Sequence, residues 1–431
     1  MLSSCCRPAA GLALLLGLAM AATAASPAPE APHPSGPLTL ADATALAIKA
    51  NPKLARFVYD RAAAGGQRLQ AGLGPRPELG IELENFGGTG PYRGADSIEA
   101  TLRLTIAWQR IAKRQARIGV TDARLAQLDH TEIMARLDVV AETTRRFLDV
   151  IESQAQLALA ARGVGYAEQT LAAAKRRVAI GAASSLEVNR ARIALERVQL
   201  EHEHYEHLLA TQRRRLGAQW GETVPQFERA DGELGQLPDA PDYTALLERL
   251  RRSPDYARYD VEQRLREAQL RLARQESNDD PRFSAGVRRL QGSGDYALVA
   301  SLLLPLSISN RNQGAIVEAE ALRDRVAVDR QAAAVESETV LYDFVQALRH
   351  ARTMAESLRS VLLPQADEAL MLTRRGYANG RYSQIDLLDA QQTRLDLEQE
   401  WLTNVADYHR TLAAVDRMTA LAPDTNASLQ P

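Results

Sequence analysis

Cysteine is nearly absent from this 431-residue chain: there are two, Cys5 and Cys6, both ahead of an apolar stretch at the N-terminus. That stretch runs from Ala9 to Ala22 behind Arg7, and leads into Ala22-Thr23-Ala24 and a proline-rich run from Ser26 to Pro37. A basic flank, a short apolar core and a small-x-small site predict a secretory signal peptide over residues 1–24 and a linker over 25–37. The apolar core is short for a spanning helix. Cleavage near Ala24 would remove both cysteines, so the exported chain would have no disulfide, thiolate metal site or cysteine nucleophile.

Charge of one sign is also lacking. The formal net charge is -2, which gives no electrostatic footprint for a nucleic-acid partner. Beyond the N-terminus no apolar run is long enough for a transmembrane helix, so any membrane-crossing part must be a closed β-barrel. No His-Glu-x-x-His, Gly-x-Ser-x-Gly or Walker sequence occurs, which argues against an enzyme and calls for no cofactor. The glycine-rich run Gly87–Gly94 lacks the P-loop lysine and its spacing, and reads as a hairpin loop.

What the chain does have is alanine, leucine, arginine, glutamate and glutamine in quantity, with only 5% aromatics. This suits long helices. The pattern is written twice. Asn51-Pro52 is matched by Ser253-Pro254, Gly181 by Gly380, and Gly165 by Pro364, each pair about 200 positions apart. Two structural repeats are predicted, over 38–221 and 243–421, with an inter-repeat linker over 222–242 and a tail over 422–431.

Each repeat has the same order. A helix from about Leu40 to Ala71 ends at Pro75 and Pro77, because proline cannot continue the hydrogen-bond ladder. Strand-like segments follow at 78–86 and 97–106, a hairpin over about 78–106; the second repeat has Phe283 to Leu290 and Tyr296 to Leu304, within about 282–305. Ile98, Ala100, Leu102, Leu104 and Ile106 alternate with polar residues, as do Tyr296, Leu298, Ala300, Leu302 and Leu304 with their neighbours. Segments of about ten residues fit tilted strands crossing a bilayer. Four strands cannot close a barrel, for which about eight is the lower limit, so a membrane-spanning sheet would have to be shared between copies.

After each hairpin comes a very long helix. The first, from about Trp108 to Val178, would be about 100 Å long at 1.5 Å per residue. Ile133, Leu137, Val140, Thr144, Phe147 and Ile151 form a heptad-like seam, as do Val340, Phe344, Ala347, Ala351, Met354, Leu358 and Val361, which predicts coiled-coil pairing. Gly165 and Pro364 predict a bend in each long helix. Gly181 and Gly380 then mark tight turns before returning helices. The histidine cluster Glu201-His202-Glu203-His204-Tyr205-Glu206-His207 offers His202, His204 and His207 as weak metal candidates. Carboxylates alternate with them and no cysteine assists, which fits a solvated helix face better.

Helix, hairpin, long helix, glycine turn and return helix, duplicated behind a signal peptide, resembles the TolC-like outer-membrane efflux proteins from about Leu38 to Leu421. Ile385-Asp386-Leu387-Leu388-Asp389-Ala390 is similar to the family's motif after the second periplasmic tip. Glu84-Asn85-Phe86-Gly87-Gly88 and Asn310-Arg311-Asn312-Gln313-Gly314 are most similar to the heavy-metal, CzcC-type branch. Gln109-Arg110-Ile111-Ala112-Lys113-Arg114 departs from the glycine-rich stretch usual there.

The resemblance implies a mainly α fold: a homotrimeric channel with long coiled-coil helices in an α-barrel, and four strands per chain in a shared twelve-strand transmembrane β-barrel. It implies a passive exit duct in the outer membrane, surrounded by lipid, with a periplasmic membrane-fusion adaptor and an inner-membrane resistance-nodulation-division pump as partners. Asp386 and Asp389 match the residues that form acidic rings at the periplasmic aperture. Tyr377 matches a gating tyrosine, Glu187 stands at the gating acid, and Tyr382 occupies the position of the gating arginine, with Arg381 adjacent. Gly181, Ser184, Gly380 and Ser383 are tip candidates for adaptor contact. The resemblance leaves drug efflux or type I secretion as alternatives to metal efflux. The helical pattern alone also fits a soluble periplasmic coiled-coil scaffold, which would differ from a duct in not residing in the outer membrane.

Overall fold

The computed structural model describes residues 36–305 and 312–421. The predicted signal peptide with Cys5 and Cys6, nearly all of the proline-rich linker, Asn310 and Arg311 of the second branch motif, and the tail lie outside the described residues.

The architecture is mainly helical with one small sheet. α1 (Leu40–Ala50) and α2 (Pro52–Gly72) lead into β1 (Glu78–Glu84) and β2 (Glu99–Ala107), then α3 (Ile111–Ala179) and α4 (Ser185–Gly217). The order recurs with α5 (Tyr243–Arg251), α6 (Pro254–Glu276), β3 (Arg282–Leu290), β4 (Tyr296–Leu303), α7 (Gln313–Ser357), α8 (Leu363–Ala378) and α9 (Gln384–Met418).

The single helix predicted over 40–71 is two helices, and Asn51 is the reason. Pro52 has no N–H to donate back into α1 but is well suited to a helix's first position. Asn51 ends one helix and caps the next, accepting from the Lys53 N–H at 2.9 Å and donating to the Gln219 carbonyl at 2.7 Å. Ser253-Pro254 likewise separates α5 from α6, with Pro254 at the first helical position, but Ser253 supplies no side-chain cap.

The two expected bends also part company. α3 runs unbroken through Gly165 for 69 residues. One glycine costs only about 1 kcal/mol of helix propensity, which packing along such a helix readily offsets. Proline removes a hydrogen bond outright, and just ahead of Pro364 the helix widens into a π turn over Leu358–Leu362.

Both predicted seams are displaced. In α3, Phe147 and Ile151 are buried, but Val139 and Thr143 take the buried positions above them, while Ile133, Leu137, Val140 and Thr144 are half-buried. In α7 the buried line is Leu341, Val345, Leu348, Ala355 and Leu358. Val340, Phe344, Ala351 and Met354 flank it half-buried, and Ala347 and Val361 are exposed. α3 packs against α4, α6 and α9, and α7 against α6 and α9, so the most buried line falls between contact faces.

Midway along the helices, segment 222–240 lies across the bundle. Leu38 forms a short parallel bridge with Ala230, its N–H donating to the Arg229 carbonyl at 2.8 Å and its carbonyl accepting from Asp231 at 2.8 Å. Gln154 of α3 both donates to and accepts from the Ala230 backbone, at 3.0 and 2.9 Å. The Tyr408 hydroxyl of α9 donates to the Pro238 carbonyl at 2.5 Å. Phe147, Ile151, Trp220, Phe227 and Val405 are buried beneath this crossing.

The sheet is an antiparallel meander in the order β1-β2-β3-β4. Its register puts Ile81 beside Leu102, Leu102 beside Val287, and Val287 beside Leu298. Alternation then gathers Leu79, Ile81, Leu104, Ile106, Phe283, Tyr296 and Leu302 onto the same face, and that face is exposed. Apart from Arg289, which stands beside Tyr296 at one end of the apolar face, the charged residues point the other way. Arg288 donates to Glu84 at 2.8 Å, Glu99 at 2.7 Å and Thr101 at 3.0 Å, and Arg103 pairs with Glu82 at 2.9 Å. This amphipathicity is inverted relative to a soluble sheet. Among the described residues, β1 and β4 each present an unpaired edge.

Gly286 sits where the polar face is tightest: a Cβ there would collide with the Leu102 carbonyl. Gly286→Val should therefore destabilise the β2–β3 pairing by about 1–3 kcal/mol. A lower denaturation midpoint checks this, while Ala285→Val, which points to the open face, should leave the midpoint in place.

Candidate functional site

At the end of the helices remote from the sheet, two tight turns reverse the chain. Gly181 has φ +73° and Gly380 φ +72°, the left-handed region that favours glycine. The turns share a hydrogen-bond pattern. Gly181 N–H donates to the Val178 carbonyl at 3.0 Å and Ala182 N–H to Arg177 at 2.8 Å; Gly380 N–H donates to Tyr377 at 3.1 Å and Arg381 N–H to Gly376 at 2.8 Å. Paired bonds of this kind close the last carbonyls of a helix.

The returning helices start differently. Ser184 precedes α4 with no side-chain cap. Ser383 opens α9 with a reciprocal capping box: the Ser383 N–H and hydroxyl each donate to Asp386 Oδ2 at 2.8 Å, and Asp386 N–H donates to Ser383 Oγ at 3.2 Å. These donors hold the Asp386 carboxyl below the usual aspartate range. Asp386 is thus both an ionised acid and a cap.

Four helices meet just behind the turns, each contributing one polar residue. The Tyr377 hydroxyl of α8, whose ring is 2% exposed, donates to Glu187 Oε2 of α4 at 2.8 Å. Arg177 of α3 lies over the Tyr377 ring at 4.7 Å, donates to the Tyr377 carbonyl at 2.6 Å, and brings its Nε within 3.8 Å of Glu187. Gln384 of α9 donates to the Glu187 carbonyl at 2.7 Å. Leu370, Tyr377 and Leu387 form the apolar base. Burial, then the hydrogen bond to Glu187, pushes the Tyr377 phenol up to about 12.

Of the residues singled out in the sequence, the structure joins Glu187 to Tyr377. It does not bring Arg381 into the group: Arg381 is exposed on the turn. Tyr382 lays its ring against Gly376, where a Cβ would collide with it. The arginine that engages Tyr377 is Arg177, which sequence reasoning passed over, as it did Gln384. Arg177 opens the glycine-turn motif in the first half, where the second half has Gly376 at the matching position. That asymmetry was the available signal.

Asp386 and Asp389 are both exposed on α9. Asp389 lines a groove of about 470 Å³ between α3, α4 and α9, together with Arg190, Arg197 and Gln392. The histidines do not converge. His202 approaches Glu206 at 3.7 Å and His207 approaches Glu203 at 3.6 Å. Among the described residues no group of three or more histidines, cysteines and carboxylates could hold a metal ion.

Residues 44–222 match the family described as "Outer membrane efflux protein". Over 384 residues, covering 89% of this chain and 90% of the relative, the chain is 28% identical to the cobalt-zinc-cadmium resistance protein CzcC of Cupriavidus metallidurans. It is 27% identical to the nickel and cobalt resistance protein CnrC of the same organism, over 58% of this chain and 59% of that protein. The fold is similar to that of a solved structure of CusC at a TM-score of 0.70 and 15% identity, covering 89% of this chain and 92% of the other.

The Tyr377–Glu187 bond gives a titration test. A phenol with a raised pKa stabilises the folded tip fully below pH 10, and that contribution is lost as pH rises through about 12. Ultraviolet titration should lose its component near pH 12 in Tyr377→Phe, while Tyr205 and Tyr408, whose phenols burial also raises, keep theirs. At neutral pH the same variant should weaken the tip by about 1.5–3 kcal/mol, the range for a hydrogen bond to a charged group. An unchanged titration curve contradicts the assignment.

Proposed function

We propose that this chain, whose residues 44–222 match the outer membrane efflux protein family, is the outer-membrane exit duct of a tripartite efflux system for heavy-metal cations. The observation that carries the reading is the inverted sheet: four antiparallel strands, apolar on the exposed face and polar on the other, with two open edges. In hydrocarbon every backbone group must be paired, so an open sheet is untenable there. Three copies supply twelve strands and close the barrel.

In this reading the two halves are structural repeats, 38–221 and 243–421. The long helices of three chains form a tunnel of about 100 Å through the periplasm. The tip turns at Gly181, Ser184, Gly380 and Ser383 meet a periplasmic adaptor, which joins the duct to an inner-membrane resistance-nodulation-division pump. The pump supplies the energy; the duct performs no chemistry.

Selectivity is assigned to Asp386 and Asp389. Three copies would place six carboxylates at one aperture, a field that attracts cations and disfavours anions. The lowered pKa of Asp386 supports its staying charged. The Arg177, Glu187, Tyr377 and Gln384 cluster holds α3, α4, α8 and α9 together and is the proposed latch of the closed tip. Tyr382 and Arg381 stand beside it as further gate candidates. The metal cargo rests on the relatives named for cobalt, zinc, cadmium and nickel resistance.

Deleting the gene should raise sensitivity to cobalt, zinc, cadmium or nickel and leave drug sensitivity unchanged. Complementation with Asp386→Asn and Asp389→Asn together should restore resistance only in part. A deletion strain sensitised to drugs alone would assign the duct to drug efflux instead.

A further inference from the structure

Where the sheet meets the helices, the apolar face ends in an aromatic pair: Trp108 and Phe283 have ring centroids 5.9 Å apart. Phe283 belongs to the exposed apolar face, in register with Ile106. Trp108 is 66% exposed and Ile111, one helical turn on, is 65% exposed. Amphipathic rings at strand ends mark the level where hydrocarbon gives way to headgroups.

Immediately beyond this level lie Arg76, between α2 and β1, and Arg110 and Arg114 at the start of α3. All three are exposed. None has an ion pair or a side-chain hydrogen bond among the described residues. Their neighbours differ. Lys113 is committed to Asp280 at 3.1 Å, and Arg117 donates to the Leu73 carbonyl at 3.0 Å and to Gln109 at 2.9 Å. Glu78, the acid nearest in β1, belongs to the opposite, polar face of the sheet. The segment leading into β3 carries Asp279 and Asp280, and Arg282 at the start of β3 lies on the polar face opposite Ala107.

We propose that Arg76, Arg110 and Arg114 form a binding surface for the phosphate of an anionic glycerophospholipid in the periplasmic leaflet. This rests on the outer-membrane reading above. Guanidinium groups match phosphate oxygens in bidentate geometry. Trp108 and Ile111 beside them offer apolar surface for the acyl chains. A zwitterionic lipid carries its own ammonium group, so uncompensated arginines favour a headgroup with net negative charge. Each such arginine contributes on the order of fivefold in affinity near an anionic surface.

The test uses the full-length protein purified in detergent and offered equal amounts of phosphatidylglycerol and phosphatidylethanolamine, with retained lipid measured by mass spectrometry. Wild type should retain phosphatidylglycerol preferentially. Arg76→Gln, Arg110→Gln and Arg114→Gln combined should abolish the preference, with a loss on the order of fivefold for each single change, and lysine at the three positions should restore it only in part. Arg289→Gln, on the same face at the other end of β3, should change nothing. A membrane-inserted triple variant that keeps the wild-type preference overturns this inference alone, as does an Arg289→Gln variant that loses it equally. A wild-type chain recovered only in the soluble periplasm overturns the duct and this inference together.

Discussion

The structure depends on one mismatch: a sheet whose apolar side chains point away from its own protein. Leu79, Ile81, Leu102, Leu104, Val287 and Leu298 line up across four strands, exposed and with nothing among the described residues to cover them. Their polar counterparts are tied together by Arg288 and Arg103 on the other side. In water this arrangement leaves apolar surface exposed and two strand edges unpaired, the features that drive uncontrolled association. In a bilayer, with the edges closed on further copies, both become assets. The long helices follow from the same constraint, because a duct anchored at one surface can reach a partner at the other only by length.

Symmetry in the sequence is spent differently in the two halves. The glycine turns are near copies in hydrogen bonding, yet the residues behind them are not. Arg177 and Gly376 occupy matching positions, one reaching across to Tyr377 and the other making room for Tyr382. Ser184 and Ser383 also match, and each has an acid three residues on, but Asp386 closes a capping box on Ser383 while Glu187 engages Tyr377 instead. Along the helices, Pro364 is accommodated by a π turn where Gly165 leaves α3 unbroken. The two halves thus carry unlike helix pairs, and Asp386, Asp389 and Tyr377 all come from the second.

Much of this was legible in the sequence. Apolar alternation, looser in β4 where Leu302 and Leu303 adjoin, located the four strands to within two residues, because period-two patterning bounded by turn residues has few other readings. The glycine turns were legible for the same local reason. What failed was tertiary. The coiled-coil seams were displaced because periodicity reports an apolar side of a helix, not which line lies deepest between several neighbours. The break at Asn51 was missed because Pro52 can begin a helix as well as end one. Arg177 and Gln384 escaped because their role exists only once segments about 200 residues apart are brought together. The resemblance named Glu187 and Tyr377, which the structure joins, but offered Arg381 as the nearby arginine, which is exposed on the turn.

The central claim, a barrel shared by three chains, is tested most directly by joining the open edges. With Ile81→Cys in β1 and Leu298→Cys in β4, a short bifunctional thiol reagent applied to outer-membrane preparations should give covalent products that stop at three chains, and neither single variant should go beyond a dimer. Products that remain monomeric in membranes, or that continue past three chains without a limit, would contradict the account.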